Sequence, residues 1–178
     1  MGNFISRIVR AARLDVTLYE EVEADKGSLN QALAVVILSS AAAGMANIGR
    51  AGAVGIIIGI VIALVGWFAW AFLTYVIGTK LLPEQQTSSN PGELLRTVGF
   101  SSAPGLVRVL GIIPGLSKPA FFIAAIWMLI AMIIAVRQAL DYKSTWRAIG
   151  VCVIGWIVQL MITILMLALF GGTAAKPL

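Results

Sequence analysis

Residues Glu93 to Gly115 read ELLRTVGFSSAPGLVRVLGIIPG. The stretch starts with charge, turns apolar, and is interrupted by Pro104 and Pro114 with Arg108 between them. Proline has no backbone donor and clashes with the preceding turn, so a helix entering here is predicted to break or kink at Ala103. In lipid the freed carbonyls need partners, so the break belongs inside a bundle, and Ser101 and Ser102 are at hand to supply some.

The composition agrees. Hydrophobic residues make up 60% of the 178-residue chain and charged ones 12%, against about 25% charged in an ordinary soluble domain. We read an all-α, polytopic integral membrane protein. At about 20 residues per crossing, four to six spans fit in one domain. The net charge of +5 is scattered through short loops, without the basic stripe and interleaved aromatics of a nucleic-acid binder. Histidine is absent and Cys152 is the lone cysteine, so no metal site, haem ligation by histidine, or other cofactor is expected.

Working outward, the expected spans are Gln31–Asn47, a long run Ala51–Leu82, the broken stretch itself, Ala120–Ala139 and Trp146–Phe170. This is a five-span helical bundle with a Pro-broken third span. The long run is too long for a straight crossing and must tilt, kink or emerge early. Ala51, Gly55, Gly59 and Ala63 offer it a small-residue face for another helix, and Trp67, Trp70 and Tyr75 read as an aromatic belt. Pro83 to Pro91 is the clearest loop. Before the first span, Phe4, Ile5, Ile8, Val9 and Ala12 recur at helical spacing opposite Arg7, Arg10 and Arg13, an N-terminal amphipathic helix suited to the interface plane. Glu20, Glu21, Glu23 and Asp25 make the following stretch acidic. The organisation is therefore an amphipathic and acidic N-terminal segment, 1–29, a membrane domain, 30–171, and a short tail, 172–178. MGNFIS matches the myristoylation pattern at Gly2, a motif short enough to recur by chance.

With the N-terminus inside, nine of the thirteen basic residues fall on inner segments: Arg7, Arg10, Arg13, Lys26, Lys80, Arg96, Arg137, Lys143 and Arg147. That bias predicts a cytoplasmic N-terminus. It also brings Glu93 and Arg96 to the face that carries Arg137 and Asp141. Arg137 and Asp141 lie four residues apart, a spacing suited to an ion pair.

YEEVEADKGSLNQALAVVIL, WFAWAFLTYVIGTKL, the Glu93–Gly115 stretch and IWMLIAMIIAVRQALDYKSTWRAIGVCVIGW together resemble the prokaryotic branch of the Ypt-interacting protein (Yip) domain family. Glu93–Arg96 followed by Ala103–Pro104–Gly105, and Ala135–Leu140, carry most of the likeness. The resemblance implies a five-span domain with a cytoplasmic N-terminus, in a prokaryotic plasma membrane. Eukaryotic relatives reside in the early secretory pathway, bind Rab-type GTPases and take part in vesicle traffic or membrane shaping. The long N-terminal region and the Asp-Leu-Tyr-Gly-Pro motif are absent here, so GTPase binding is not carried over.

A serine protease would need a base beside Ser101 or Ser102, and an aspartyl protease needs two membrane aspartates. Neither set is present, so no catalytic residue is assigned. The leading reading is a non-enzymatic protein that organises the bilayer or recruits a protein partner at its cytoplasmic face, either alone or as a homo-oligomer. Glu93, Arg96, Arg137 and Asp141 are the candidate cluster there. The alternative is a small transporter or channel using the broken span, with Pro104 and Arg108 as candidate intramembrane residues. Arg108 reads either as an anion-attracting group or, preferably, as a side chain that snorkels to the outer interface.

Overall fold

The structure, a computed structural model, describes residues 3–170. Gly2 and the tail 172–178 lie outside the described residues. The elements are α1 (Phe4–Ala12), α2 (Val16–Ala24), α3 (Leu29–Ala46), α4 (Ile48–Val76), α5 (Pro91–Phe100), a 3-10 segment (Ala103–Ile112), α6 (Ser117–Ala139) and α7 (Thr145–Phe170). No strand occurs among the described residues. Among the described residues, four helical stretches are long and apolar enough to cross a membrane: Lys26–Ala46, Gly52–Leu81, Ser117–Ala139 and Thr145–Ile162. The chain is a multi-pass membrane protein.

Local chemistry sets the boundaries. Asn90 and Glu93 form a reciprocal capping box at the start of α5, with Pro91 in its first turn, where a missing donor costs nothing. At the other end, α5 stops at Phe100 and the chain tightens into 3-10 geometry from Ala103. Ser101 Oγ donates to the Val98 carbonyl at 2.7 Å, the kind of partner that a terminating helix in an apolar bundle requires. The long second run solves its excess length in two places. Gly52, at φ 62°, bends its start. A π-helical turn, Ile77–Leu81, ends it.

Two buried clusters hold the bundle. One gathers Ile77, Leu94, Val98, Val136, Leu140, Tyr142 and Val151 from α4, α5, α6 and α7. The other joins Leu18, Tyr19 and Val22 of α2 to Ala32, Val35, Phe100 and Ala135. Close approach depends on small residues: a Cβ on Gly99 would lie 2.7 Å from the Ala32 Cβ. Most of α4 instead presents Val54, Ile57, Ile58, Val61, Ile62, Val65 and Phe68 outward, as a lipid-facing helix does.

The N-terminal segment departs from expectation. α1 is helical, capped by Asn3, and turns Phe4, Ile8 and Ala11 toward the core, yet Arg7 is turned inward with them. Arg7 is 3% exposed while Ile5 is 66% exposed. The reason lies in the acidic stretch, which folds as α2 and offers carboxylates to α1. Arg7 Nη2 lies 2.8 Å from Glu21 and 2.9 Å from Asp25. Arg10 lies 2.8 Å from Asp15 and 2.5 Å from Glu21. Ion pairs with supporting hydrogen bonds tolerate burial that a lone guanidinium does not. α1 and α2 thus form a charge-locked hairpin docked on α3, α5 and α6, with Trp127 Nε1 donating to the Ala12 carbonyl at 2.8 Å.

Candidate functional site

Three of the four residues expected to cluster at one face, Glu93, Arg137 and Asp141, line one crevice, without an ion pair among them. α5 and α6 bring Glu93, Arg137 and Asp141 to a crevice of about 590 Å³. α2 contributes Glu20 and Glu23, and the turn after α6 adds Lys143. Arg96 is not among the residues that line this crevice. It is 6% exposed and reaches under α2, where Nε donates to the Val22 carbonyl at 2.9 Å and Nη2 to the Glu23 carbonyl. These are C-terminal carbonyls of α2, left without intrahelical donors and at the negative end of its dipole. Arg96 is therefore a rivet for the N-terminal hairpin.

Arg137 and Asp141 correct a second expectation. The helical spacing predicts a pair, but α6 ends at Ala139 and Asp141 adopts φ 54°, so the two side chains no longer share a helix face. Arg137 donates instead to the carbonyls of Tyr142, at 3.2 Å, and Lys143, at 3.4 Å. Glu93 is occupied by its capping box with Asn90. Beside them, Gln138 donates to Glu20 Oε1 at 2.8 Å.

The crevice is electrostatically tense. Burial, then the nearby Asp141 and Glu93 carboxylates, push Glu23 up to about 7, with Arg96 opposing. Burial and Glu93 raise Asp141 as well. Four carboxylates thus face one space that holds Arg137 and Lys143 but pairs neither with a carboxylate side chain among the described residues. Behind it, Tyr142 locks the floor. Its hydroxyl faces the Gly78 carbonyl at 2.9 Å and the Leu82 carbonyl at 2.7 Å, one proton shared between acceptors that the π-helical turn leaves open. Burial pushes this phenol up to about 12.

The broken stretch makes a different environment. Pro104 is buried together with Ala103 and Gly105. Arg108 is half-buried. Its Nε donates to the Gly105 carbonyl at 3.0 Å, and Nη2 lies 2.8 Å from Ser39 Oγ and 3.5 Å from Met128 Sδ. The guanidinium carbon stands 6.0 Å from the centre of the Phe121 ring. Met128 is the middle residue of α6 and Ser39 lies just past the middle of α3, so the charge turns into the bundle. It borders a second, mainly apolar cleft of about 670 Å³ between α3, α4, α6 and α7.

These features sit on a recognisable chain pattern. The Yip1 domain profile matches residues 18–167. The chain belongs to the Yip1 domain family. The match begins inside α2 and ends near the end of α7, so α2, with the two carbonyls held by Arg96, is part of the Yip1 domain. Comparison with curated proteins and with solved structures returns no match.

Sequence reasoning missed Glu20 and Glu23 as crevice residues and Ser39, Phe121 and Met128 as neighbours of Arg108. For the glutamates a signal existed: Leu18, Tyr19 and Val22 mark a buried face of α2, which turns Glu20 and Glu23 toward its edge. The neighbours of Arg108 come from helices packed across the bundle, and no local pattern points to them.

Proposed function

We propose that this Yip1 domain is a non-enzymatic membrane organiser that recruits a protein partner at its cytoplasmic face, with the charged crevice as the docking surface. The observation that carries the reading is the convergence of Glu20, Glu23, Glu93 and Asp141 on one open space, at the expense of an elevated Glu23. Groups held in mutual repulsion within a cleft are characteristic of function rather than of stability. The sign of the charge favours a partner with a basic segment, whose lysines or arginines would relieve that repulsion.

The architecture proposed with it has five crossings. α5 and the 3-10 segment, ten residues each, reach about 15 Å and about 20 Å in turn, enough together for a hydrocarbon core of about 30 Å. Broken at Ser101–Ser102, they would form the third crossing. The loop charges then support a cytoplasmic N-terminus in a prokaryotic plasma membrane. A photoreactive residue at exposed Glu20 should give discrete protein adducts in cells, and Asp141→Lys should abolish them while leaving the protein folded. Adducts insensitive to that charge reversal would refute the docking role.

A second reading, a small transporter or channel, draws on the cleft beside Arg108. Solute-selective flux in proteoliposomes, lost in Arg108→Ala, would favour it over the organiser. Silent vesicles would leave the organiser as the better account.

A further inference from the structure

The small-residue face of α4 does not receive a helix. Gly55, Gly59 and Ala63 line the 670 Å³ cleft instead, and a Cβ built on Gly59 meets nothing within 4 Å. The glycines therefore leave a gap in the bundle wall along a helix whose outer face carries exposed apolar side chains. Trp67 and Trp70 narrow one end of this gap. Trp67 is fixed by its Nε1 donating to the Leu95 carbonyl at 3.0 Å, so these indoles turn into the bundle rather than forming the expected belt.

At the wall of this apolar cleft stands a cation whose partners are all neutral: a carbonyl, a hydroxyl, a thioether and an aromatic face. Among the described residues no carboxylate pairs with Arg108. A charge within membrane-spanning structure ordinarily finds a counter-charge or marks a ligand site. Guanidinium is also suited to phosphate, which it can hold with two parallel hydrogen bonds.

We infer that the cleft between α3 and α4 binds an anionic phospholipid, its phosphate against Arg108 and the start of one acyl chain along the Gly55–Ala63 face of α4. Two observations select a lipid rather than a dissolved anion. The lining is mainly apolar. The gap at Gly59 opens on the same helix that presents its side chains to lipid. The cleft volume matches pockets that enclose a drug-sized molecule, so it admits the headgroup and part of one chain while the rest stays in the bilayer. Gly105 lets Ser39 Oγ and the Arg108 guanidinium lie against its backbone, where a Cβ would collide with both.

Brominated-lipid quenching tests this directly, since Trp67 and Trp70 line the cleft. Purified full-length protein in phosphatidylcholine nanodiscs is titrated with phosphatidylglycerol brominated near the top of its chains, or with equally brominated phosphatidylcholine. Both lipids carry a phosphodiester, but the trimethylammonium of phosphatidylcholine offsets its attraction to Arg108, so the expected result is a preference for phosphatidylglycerol of about tenfold. Arg108→Gln, which keeps a donor for Ser39, should erase the preference, and Arg108→Lys should retain part of it. Gly59→Leu, which fills the gap without touching Arg108, should weaken quenching by both lipids. Equal quenching by the two lipids in the native protein, or an unchanged preference in Arg108→Gln, overturns the inference. So does competition by soluble glycerol phosphate, which would make the site one for a dissolved anion. If Arg108→Gln does not fold, Gly59→Leu decides: unchanged quenching there refutes the site.

Discussion

Replacing Arg96 by Met should release the N-terminal hairpin from the bundle without unfolding the spans. The thioether side chain fills part of the space of the arginine stem, so the loss is mainly that of two hydrogen bonds, to the Val22 and Glu23 carbonyls. The Val22 carbonyl keeps a second donor, Ser28 Oγ at 2.8 Å, so the acceptor left without a donor is the Glu23 carbonyl, at about 1–3 kcal/mol less what hydration returns. Losing a cation at the end of α2 costs about 0.3–1 kcal/mol more. The total is about 1–4 kcal/mol, which corresponds to an increase in the open population of roughly 5- to 1000-fold. Hydrogen exchange of the amides of Leu18 to Ala24 should accelerate by that factor in detergent or nanodiscs, and trypsin should gain access at Lys26. Exchange within α6 should stay as in the native protein. If the α2 amides exchange at the native rate, the rivet is unnecessary, and burial of Leu18, Tyr19 and Val22 alone holds the hairpin.

Three further outcomes follow from the same contacts. Glu23 has a folded-state value raised to about 7, so it contributes stability that is complete below its ordinary carboxylate range and lost as pH rises through about 7. Glu23→Gln should therefore stabilise the protein by about 1 kcal/mol at pH 8, the full shift being discounted for solvent screening of this half-exposed group. The gain should vanish by pH 4 in thermal melts; an equal gain at both values would contradict the assignment. Asp15, Glu21 and Asp25, lowered by their arginine partners, act in the opposite sense and lose their contribution on acidification. Tyr142→Phe should destabilise by about 1–3 kcal/mol, the cost of orphaning buried carbonyls at the π-helical turn, measured by denaturation in mixed micelles. Finally, Arg137→Met and Asp141→Asn should be additive to within about 0.5 kcal/mol in a double-mutant cycle, because the end of α6 separates them; coupling well beyond that would restore the ion pair suggested by their spacing.

How legible this molecule is in its sequence depends on the range of the interaction. The four long helices follow from apolar runs of sufficient length, and the start of α5 from Asn90, Pro91 and Glu93, which are local signals. The 3-10 segment that begins at Ala103 carries Pro104 in its first turn. The burial of Arg7 was not legible from α1 itself, because hydrophobic periodicity assumes that charge seeks water, and here it seeks α2. The neighbours of Arg108 were hidden for the same reason. A flexible side chain beside a proline has a snorkelling route in the sequence, whereas Ser39, Phe121 and Met128 offer an inward one only after three helices have packed. Arg96 was expected among the charges near Arg137 and Asp141, whereas its partners are backbone carbonyls of α2, which carry no signature in the residue types.

The central architectural claim is that α5 and the 3-10 segment cross the membrane and leave the crevice on the cytoplasmic side. Single cysteines at Ser88, before α5, and at Lys118, at the start of α6, are both exposed and bracket that crossing. In a Cys152→Ser background, an impermeant maleimide applied to intact cells should label Lys118→Cys and should reach Ser88→Cys only after permeabilisation. Labelling of both positions from the same side would contradict the third crossing and, with it, the assignment of the charged crevice to the cytoplasm.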